Sequence, residues 1–132
     1  MRNRDLSLLV IRLTIGILML LHGIYKLNHG IGGIVGAVEA KGLPGFIGYG
    51  VFIGEVIAPL LIIIGYRTRV GALLLLTNML FVIFLIFQHS IFSLGPQGGW
   101  KLELVGFYLF GAVALFFSGG GKYALSSKSS WD

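Results

Sequence analysis

Four long apolar stretches dominate the sequence and restrict the folds that it can adopt. They cover about residues 6–25, 45–65, 70–92 and 102–118, and short connections join them. A helix of about 20 apolar residues, rising 1.5 Å per residue, crosses the roughly 30 Å hydrocarbon core of a bilayer. In hydrocarbon, only helices and closed barrels satisfy their backbone polar groups. The pattern predicts an all-α membrane protein, a bundle of four transmembrane helices.

The composition supports the same class of protein. Of the 132 residues, 56% are hydrophobic and only 11% are charged, whereas about 25% are charged in soluble domains. The length predicts one membrane domain over residues 1–132. There is no cysteine, which excludes disulfides, thiolate metal ligation and a thiol redox relay within the chain.

The net charge is +5, and its distribution points to the lipid bilayer as the partner and not to nucleic acid. The basic residues lie at the ends of the apolar stretches, where they serve as anchors and topology signals. With the amino terminus in the cytoplasm, six basic residues lie inside and three outside. The reverse orientation would invert this bias, so both termini are expected to be cytoplasmic.

Two connections carry further structural signals. Between the first two stretches, Ile31, Ile34, Val35 and Val38 recur at the spacing of one helical face. This spacing predicts a short helix on the membrane surface, ended by the turn sequence GLPG at 42–45; a flexible loop is the alternative. The basic, serine-rich segment after residue 121 is expected to be frayed.

Several ionisable residues fall inside the apolar stretches, where burial is costly without a partner, a water-filled cavity or a function. Arg12, His22 and Lys26 share one face of the first stretch, and Glu55 lies near the middle of the second. Two interpretations of Glu55 remain open. It forms a buried structural ion pair with Arg12, or it stays partly protonated and serves as a proton or ligand site.

The predicted topology also brings His89 and Glu103 to the outer half of the membrane, beside His22 and Glu55. We therefore predict a polar chamber that opens outward and is floored by Glu55 and Arg12. A quinone headgroup suits a chamber with polar ends and apolar walls. Two histidines on different helices are only a weak signal for haem ligation, and we assign no metal site. The alternative is that these groups only satisfy one another.

At these residues the sequence resembles the DoxX family. The segment LHGIYK at 21–26 resembles the family's HGxxK signature in the first helix. Three further motifs follow in the family's order and spacing: GLP at 42–44, GE at 54–55 and GYRTR at 65–69. One departure is Ala-Pro at 58–59, where small residues, often glycine, are expected after the glutamate.

The resemblance implies a four-helix integral protein of the prokaryotic cytoplasmic membrane. The family is named after a subunit of a terminal-oxidase and thiosulfate:quinone oxidoreductase system, and distant relatives are membrane-protein chaperones or cargo receptors. Its motif positions correspond here to His22, Lys26, Glu55 and Arg69. The expected function is that of a redox-linked membrane subunit associated with a quinone. The alternative is an assembly factor or structural subunit that packs against other membrane subunits or a second copy.

The predicted topology can be tested by cysteine labelling, because the chain has no cysteine of its own. Single cysteines replacing Ser127 and Gln97 should react from opposite sides of the membrane, with only Gln97→Cys labelled by an impermeant reagent in intact cells. Labelling of Ser127→Cys in intact cells would show that the orientation is wrong.

Overall fold

The computed structural model describes residues 3–132, and its regular elements are helices. They are α1 (Arg4–His29), α2 (Gly32–Ala40), α3 (Gly45–Ile64), α4 (Thr68–Ile86) and α5 (Glu103–Ser118). Of these, α1, α3 and α4 are long and apolar enough to cross a membrane. Helix α5 is apolar but has 16 residues, or about 24 Å at 1.5 Å per residue. The all-α membrane fold class is confirmed.

The ends of two helices differ from the predicted spans. Helix α1 is longer than predicted, because the side chain of Asn3 accepts a hydrogen bond from the Leu6 amide at 3.0 Å and caps the first turn. Helix α4 ends at Ile86, so the predicted end of the third span at residue 92 is wrong. Turns follow α4 instead. The indole N–H of Trp100 donates a hydrogen bond of 2.6 Å to the carbonyl of Ile91 in these turns.

Helix α2 is present, so the prediction of a helix in this connection is confirmed and the flexible-loop alternative is wrong. The helix packs on the start of α3 and on α4, and Val38 is completely buried. Beyond it, Lys41 donates to the side chain of Gln88 and lies 5.0 Å from the ring centroid of Phe84. The position of α2 on the membrane surface stays a prediction.

Helix α3 changes its winding twice along its length. It begins as a 3₁₀ helix over Gly45–Gly50, widens to a π turn over Ile53–Ile57 and continues as a regular α-helix over Ala58–Ile64. Pro59 has no amide hydrogen and cannot bond the carbonyl of Glu55 four residues earlier. In the π turn, the amide of Ala58 bonds the Ile53 carbonyl instead. π turns inside helices often occur at functional sites, and this one contains Glu55.

A compact core lies between α1, α3, α4 and α5, with the most extensive packing between α4 and α5. Small residues bring the helices close: a Cβ on Gly71 would lie 3.1 Å from the Ala58 carbonyl oxygen. The buried core residues are Met19, Ala58, Ile62, Ala72, Leu75, Met79, Tyr108, Ala112 and Leu115. Many large apolar side chains point outward, as expected of a surface that faces lipid.

Arg12 is buried at the opposite end of α1 from Lys26, and only 1% of it is exposed. Its guanidinium donates to main-chain carbonyls at 2.9–3.3 Å, those of Ile62, Ile63, Gly120 and Tyr123. The predicted Arg12–Glu55 ion pair is therefore wrong. The carbonyls at the end of a helix have no partner within it and carry partial negative charge, which makes them good acceptors for a buried cation.

The segment after α5 is folded against the bundle, so the prediction that it is frayed is wrong. Leu125 and Ser126 donate their amides to the carbonyls of Ile64 and Gly65 at 3.2 Å each. These bonds satisfy acceptors at the end of α3, where Gly65 has a positive φ of 79°. The segment thus closes the end of α3 that Arg12 also caps.

A second set of bonds joins this segment to the start of α4. The carboxylate of Asp132 pairs with Arg67 at 3.1 Å and accepts from the Ser126 hydroxyl at 2.7 Å and the Ser129 amide at 2.7 Å. The bond from Ser126, reinforced by the Ser129 amide and Arg67, holds the pKa of Asp132 below its usual value. The carboxylate is therefore ionised at neutral pH and keeps these contacts.

We expect Arg12→Met to destabilise the bundle by about 3 kcal/mol or more, because four carbonyls lose a donor in a region that excludes water. Arg4→Met, which removes an exposed arginine from the same helix, is the matched control and should change stability by less than about 0.5 kcal/mol. Unfolding in mixed detergent micelles measures both.

The same assay separates this structure from a pairing of Arg12 with Glu55. The losses from Arg12→Met and Glu55→Gln should add in the double variant, since the two side chains share no hydrogen bond or ion pair. A coupling energy above about 1 kcal/mol would contradict the structure.

Candidate functional site

A buried polar site centres on Glu55 in the π turn of α3, and 2% of this residue is exposed. One carboxylate oxygen, Oε1, forms an ion pair with the ammonium of Lys26 from α1. The other, Oε2, accepts a hydrogen bond of 3.1 Å from the side-chain amide of Asn78 in α4. The site thus joins three helices, and both carboxylate oxygens are engaged.

The sequence explains how Lys26 reaches this site. Lys26 follows His22 by four residues and Arg12 by fourteen, and both spacings place the residues on one face of an α-helix. On the same face, Met19 lies in the core. This face of α1 therefore contacts α3 through Arg12 and Lys26, whereas His22 on the same face is exposed.

Two glycines let the helices approach closely around Glu55. A Cβ on Gly54 would lie 2.2 Å from the Cβ of Asn78, so the absence of a side chain brings α3 and α4 together here. A Cβ on Gly23 would lie 2.1 Å from the main-chain oxygen of Glu55, the carbonyl that Pro59 cannot bond. The close contacts fix both the carboxylate and its peptide group.

The site has one open edge, on the side of Lys26. The lysine side chain is 24% exposed, whereas that of Glu55 is 2% exposed. Nearby on α1, the ring of His22 lies edge-on to Tyr108 of α5, with 6.0 Å between centroids and 86° between planes. Tyr108 is buried and His22 is exposed. The partly exposed edge of the site is thus formed by Lys26 and His22.

Asn78 is a site residue that was not among the predicted candidates. Its signal in the sequence is a single amide side chain within the apolar run of α4, since an unpaired amide is costly in hydrocarbon. The glycine before Glu55 is the complementary signal, because it leaves room for the asparagine. The pair is recognised only once α3 and α4 are placed side by side.

His89 and Glu103 do not join this site. His89 lies exposed in the turns after α4, and Glu103 lies exposed at the start of α5, beside Gly99. Within residues 3–132, no three histidine, aspartate or glutamate side chains lie close enough to hold a metal ion. The predicted chamber of four converging side chains above an Arg12–Glu55 floor is therefore not formed, because α4 ends before His89 and Arg12 binds elsewhere.

A groove of about 590 Å³ runs along the outer side of α1 and α5. Its walls are almost entirely apolar, and Trp100 and Glu103 belong to its lining on the α5 side. The volume lies within the usual range of ligand pockets, roughly 300–1,000 Å³. Phe107 and Phe110 belong to the same lining.

These observations define a helical integral membrane protein with a buried Lys–Glu–Asn site. The family model of DoxX matches residues 7–88, which is more than half of the chain and covers most of α1 and all of α2, α3 and α4. The chain belongs to the DoxX family, as its sequence motifs predict. A search of curated proteins and a search of solved structures each gave no significant match.

The close contact between α1 and Glu55 predicts a large effect of Gly23→Ala. The added methyl group would overlap the Glu55 carbonyl, so we expect a loss of about 1–3 kcal/mol in stability. Gly36→Ala in α2 is the control, because a Cβ there meets nothing within 4 Å. The control should be neutral or gain up to about 1 kcal/mol. Equal melting temperatures for the two variants would contradict the packing described here.

Proposed function

We propose that the chain is the membrane subunit of a redox system and that the site of Lys26, Glu55 and Asn78 binds a quinone headgroup. One observation carries this proposal. A carboxylate that is 2% exposed is held by a lysine that is 24% exposed, so a buried polar centre has one open edge. A lysine that is partly exposed can offer its remaining donors to a ligand outside the bundle.

The chemistry of the side chains suits a quinone. Quinone oxygens accept hydrogen bonds, and the ammonium of Lys26 has three donors, of which Glu55 accepts one. Reduction to the quinol consumes two electrons and two protons. In this proposal Glu55 and Lys26 exchange protons with a bound ring through the open edge. The chain has no cysteine, so no thiol of this chain supplies the electrons. A partner subunit would deliver the electrons.

Apolar surface for a quinone tail is present on the helices that carry His22 and Tyr108. The groove along α1 and α5 is open to the surrounding hydrocarbon and is lined by residues such as Ile11, Phe107 and Phe110. A polar headgroup site with an apolar surface nearby is the usual arrangement for an amphipathic ligand.

The proposed location is the prokaryotic cytoplasmic membrane, with both termini in the cytoplasm. The support is the excess of basic residues on that side, six against three. In this orientation Lys26, close to the end of α1, opens toward the outer half of the membrane. Quinone exchange would then occur from the outer leaflet.

A second function, that of an assembly factor or structural subunit, is favoured by a different observation. Both oxygens of Glu55 already have partners, so the site is complete as a structural connection between α1, α3 and α4. Large apolar side chains such as Phe107 and Phe110, at 81% and 63% exposure, offer contacts for another membrane subunit or a second copy.

Thermal melts of detergent-purified protein with a short-chain quinone distinguish the two functions. A ligand that binds only the folded state raises the melting temperature, with about 2.7 kcal/mol of stabilisation at 100 times its dissociation constant. We expect the wild-type protein to respond by several degrees. The double variant Lys26→Gln/Glu55→Gln keeps a hydrogen-bonded pair without charge, and it should fold but lose the response.

His89→Ala is the matched control, because His89 is exposed and lies outside the site. It should respond to the quinone like the wild-type protein. A wild-type melting temperature that no quinone changes would reject the quinone proposal. Co-purification of the wild-type chain with other membrane subunits would then support the assembly function.

A further inference from the structure

A polar cavity of about 300 Å³ lies in the turns between α4 and α5. Its lining includes Gln97, Lys101 and Glu103, and we call it the loop cavity. Trp100 and Glu103 line both this cavity and the apolar groove along α1 and α5. The loop cavity and the groove therefore adjoin, and neither contains a residue of the site proposed to bind a quinone headgroup.

The groove is about as deep as one leaflet of a bilayer. Along α5 its lining runs from Glu103 to Ala114, eleven residues apart, or about 16 Å at 1.5 Å per residue. Half of the roughly 30 Å hydrocarbon core is about 15 Å. Helices α1 and α5 also pack less extensively than the other neighbouring pairs of long helices. One extended lipid chain therefore matches the groove in length and in polarity.

The turns around the loop cavity are held in place by hydrogen bonds and packing. Lys101 donates its amide to the carbonyl of Ser93 at 3.0 Å. The indole of Trp100 is fixed by its bond to Ile91, and its ring lies against Gly106, where a Cβ would come within 2.6 Å of a ring carbon. The wall that the cavity shares with the groove is therefore formed before any ligand binds.

The loop cavity carries one charge of each sign. Lys101 and Glu103 are both exposed, and among the residues that the structure describes neither has an ion-pair partner. The carboxylate of Glu103 lies beside the loop, since a Cβ on Gly99 would come within 2.7 Å of its Oε2. One ammonium and one carboxylate in the same cavity complement a headgroup that carries one phosphate and one ammonium.

We propose that the groove and the loop cavity together bind one phospholipid with an ethanolamine headgroup. One acyl chain lies in the groove, Glu103 accepts hydrogen bonds from the lipid ammonium, and Lys101 pairs with the phosphate. A choline headgroup has no N–H to donate to Glu103. A glycerol headgroup brings only the negative charge of its phosphate, which Glu103 repels.

This lipid site does not depend on the quinone proposal, because it uses neither Lys26 nor Glu55. A lipid chain and a quinone tail would occupy the same groove, so the lipid is tested on protein without added quinone. Failure of one proposal therefore leaves the result for the other unchanged.

Native mass spectrometry tests the proposal. The chain is reconstituted in nanodiscs that contain equal amounts of phosphatidylethanolamine, phosphatidylcholine and phosphatidylglycerol with the same acyl chains. It is then transferred to detergent, and the lipid that stays bound is identified and counted. We expect the wild-type protein to retain phosphatidylethanolamine about five-fold over either of the other lipids, since the difference is one partly solvated ion pair.

Glu103→Lys is the decisive variant. It makes the loop cavity doubly basic, so the preference should reverse and phosphatidylglycerol should be retained about five-fold over phosphatidylethanolamine. Because Glu103 is exposed, the melting temperature without lipid should stay close to that of the wild type. Glu39→Lys is the matched control, since it makes the same change at an exposed residue of α2 outside both cavities. It should keep the wild-type preference.

Ala114→Phe tests the groove separately from the headgroup. Ala114 is exposed and lines the deep end of the groove, so a phenyl ring there would occupy the space of the acyl chain. The total amount of bound phospholipid should fall, whereas the preference among the three headgroups should not change.

Three results would overturn the proposal. Equal retention of the three lipids by the wild type would show that the groove takes acyl chains without a headgroup site. An unchanged preference in Glu103→Lys, or the same reversal in Glu39→Lys, would show that the loop cavity does not hold the headgroup. A dimer that carries no lipid and that Ala114→Phe dissociates would show that a second copy of the chain occupies the groove.

Discussion

Hydrogen-bond partners are scarce in the interior of a membrane, and the whole bundle is arranged around this shortage. Arg12 shows how far the constraint reaches. Its one guanidinium serves carbonyls at the end of α3 and in the loop after α5, so three parts of the chain depend on a single side chain. The positive charge is held by the partial negative charge of the helix end and not by an acid.

The same shortage shapes the site around Glu55. Pro59 removes one main-chain bond from α3, the π turn redistributes the others, and Gly23 brings α1 against the carbonyl that is left. Lys26 and Asn78 then take one carboxylate oxygen each. The departure from the family pattern at 58–59 therefore has a structural consequence, because the proline lies two residues after the turn that presents the glutamate.

Much of this architecture is predictable from the sequence, because hydropathy and helical spacing act over short distances. The apolar runs locate the long helices, the spacing of Ile31, Ile34, Val35 and Val38 locates α2, and the motifs identify the family. Two residues of the predicted polar face of α1, Arg12 and Lys26, do contact α3, since helical spacing depends only on residues of one helix. Each of these correct predictions concerns a property of a single segment of the chain.

The choice of partners is less predictable, because it depends on how the helices are placed along one another. Arg12 and Lys26 share a face of α1, and the sequence does not tell which of them reaches Glu55. Asn78 becomes a site residue only because Gly54 lets α4 approach, and His89 leaves the site because turn hydrogen bonds end α4 early. The folded segment after α5 likewise depends on acceptors that other helices leave free.

The two cations of α1 have a mechanical consequence. Arg12 binds the end of α3 and Lys26 binds its π turn, at points about 21 Å apart along the axis of α1 for fourteen residues. Attachment at both points prevents α1 from sliding along α3, because a shift of one turn would break both contacts at once. Any opening of the bundle must instead be a swing of one end while the other holds. The irregular winding of α3 places the natural pivot beside Glu55.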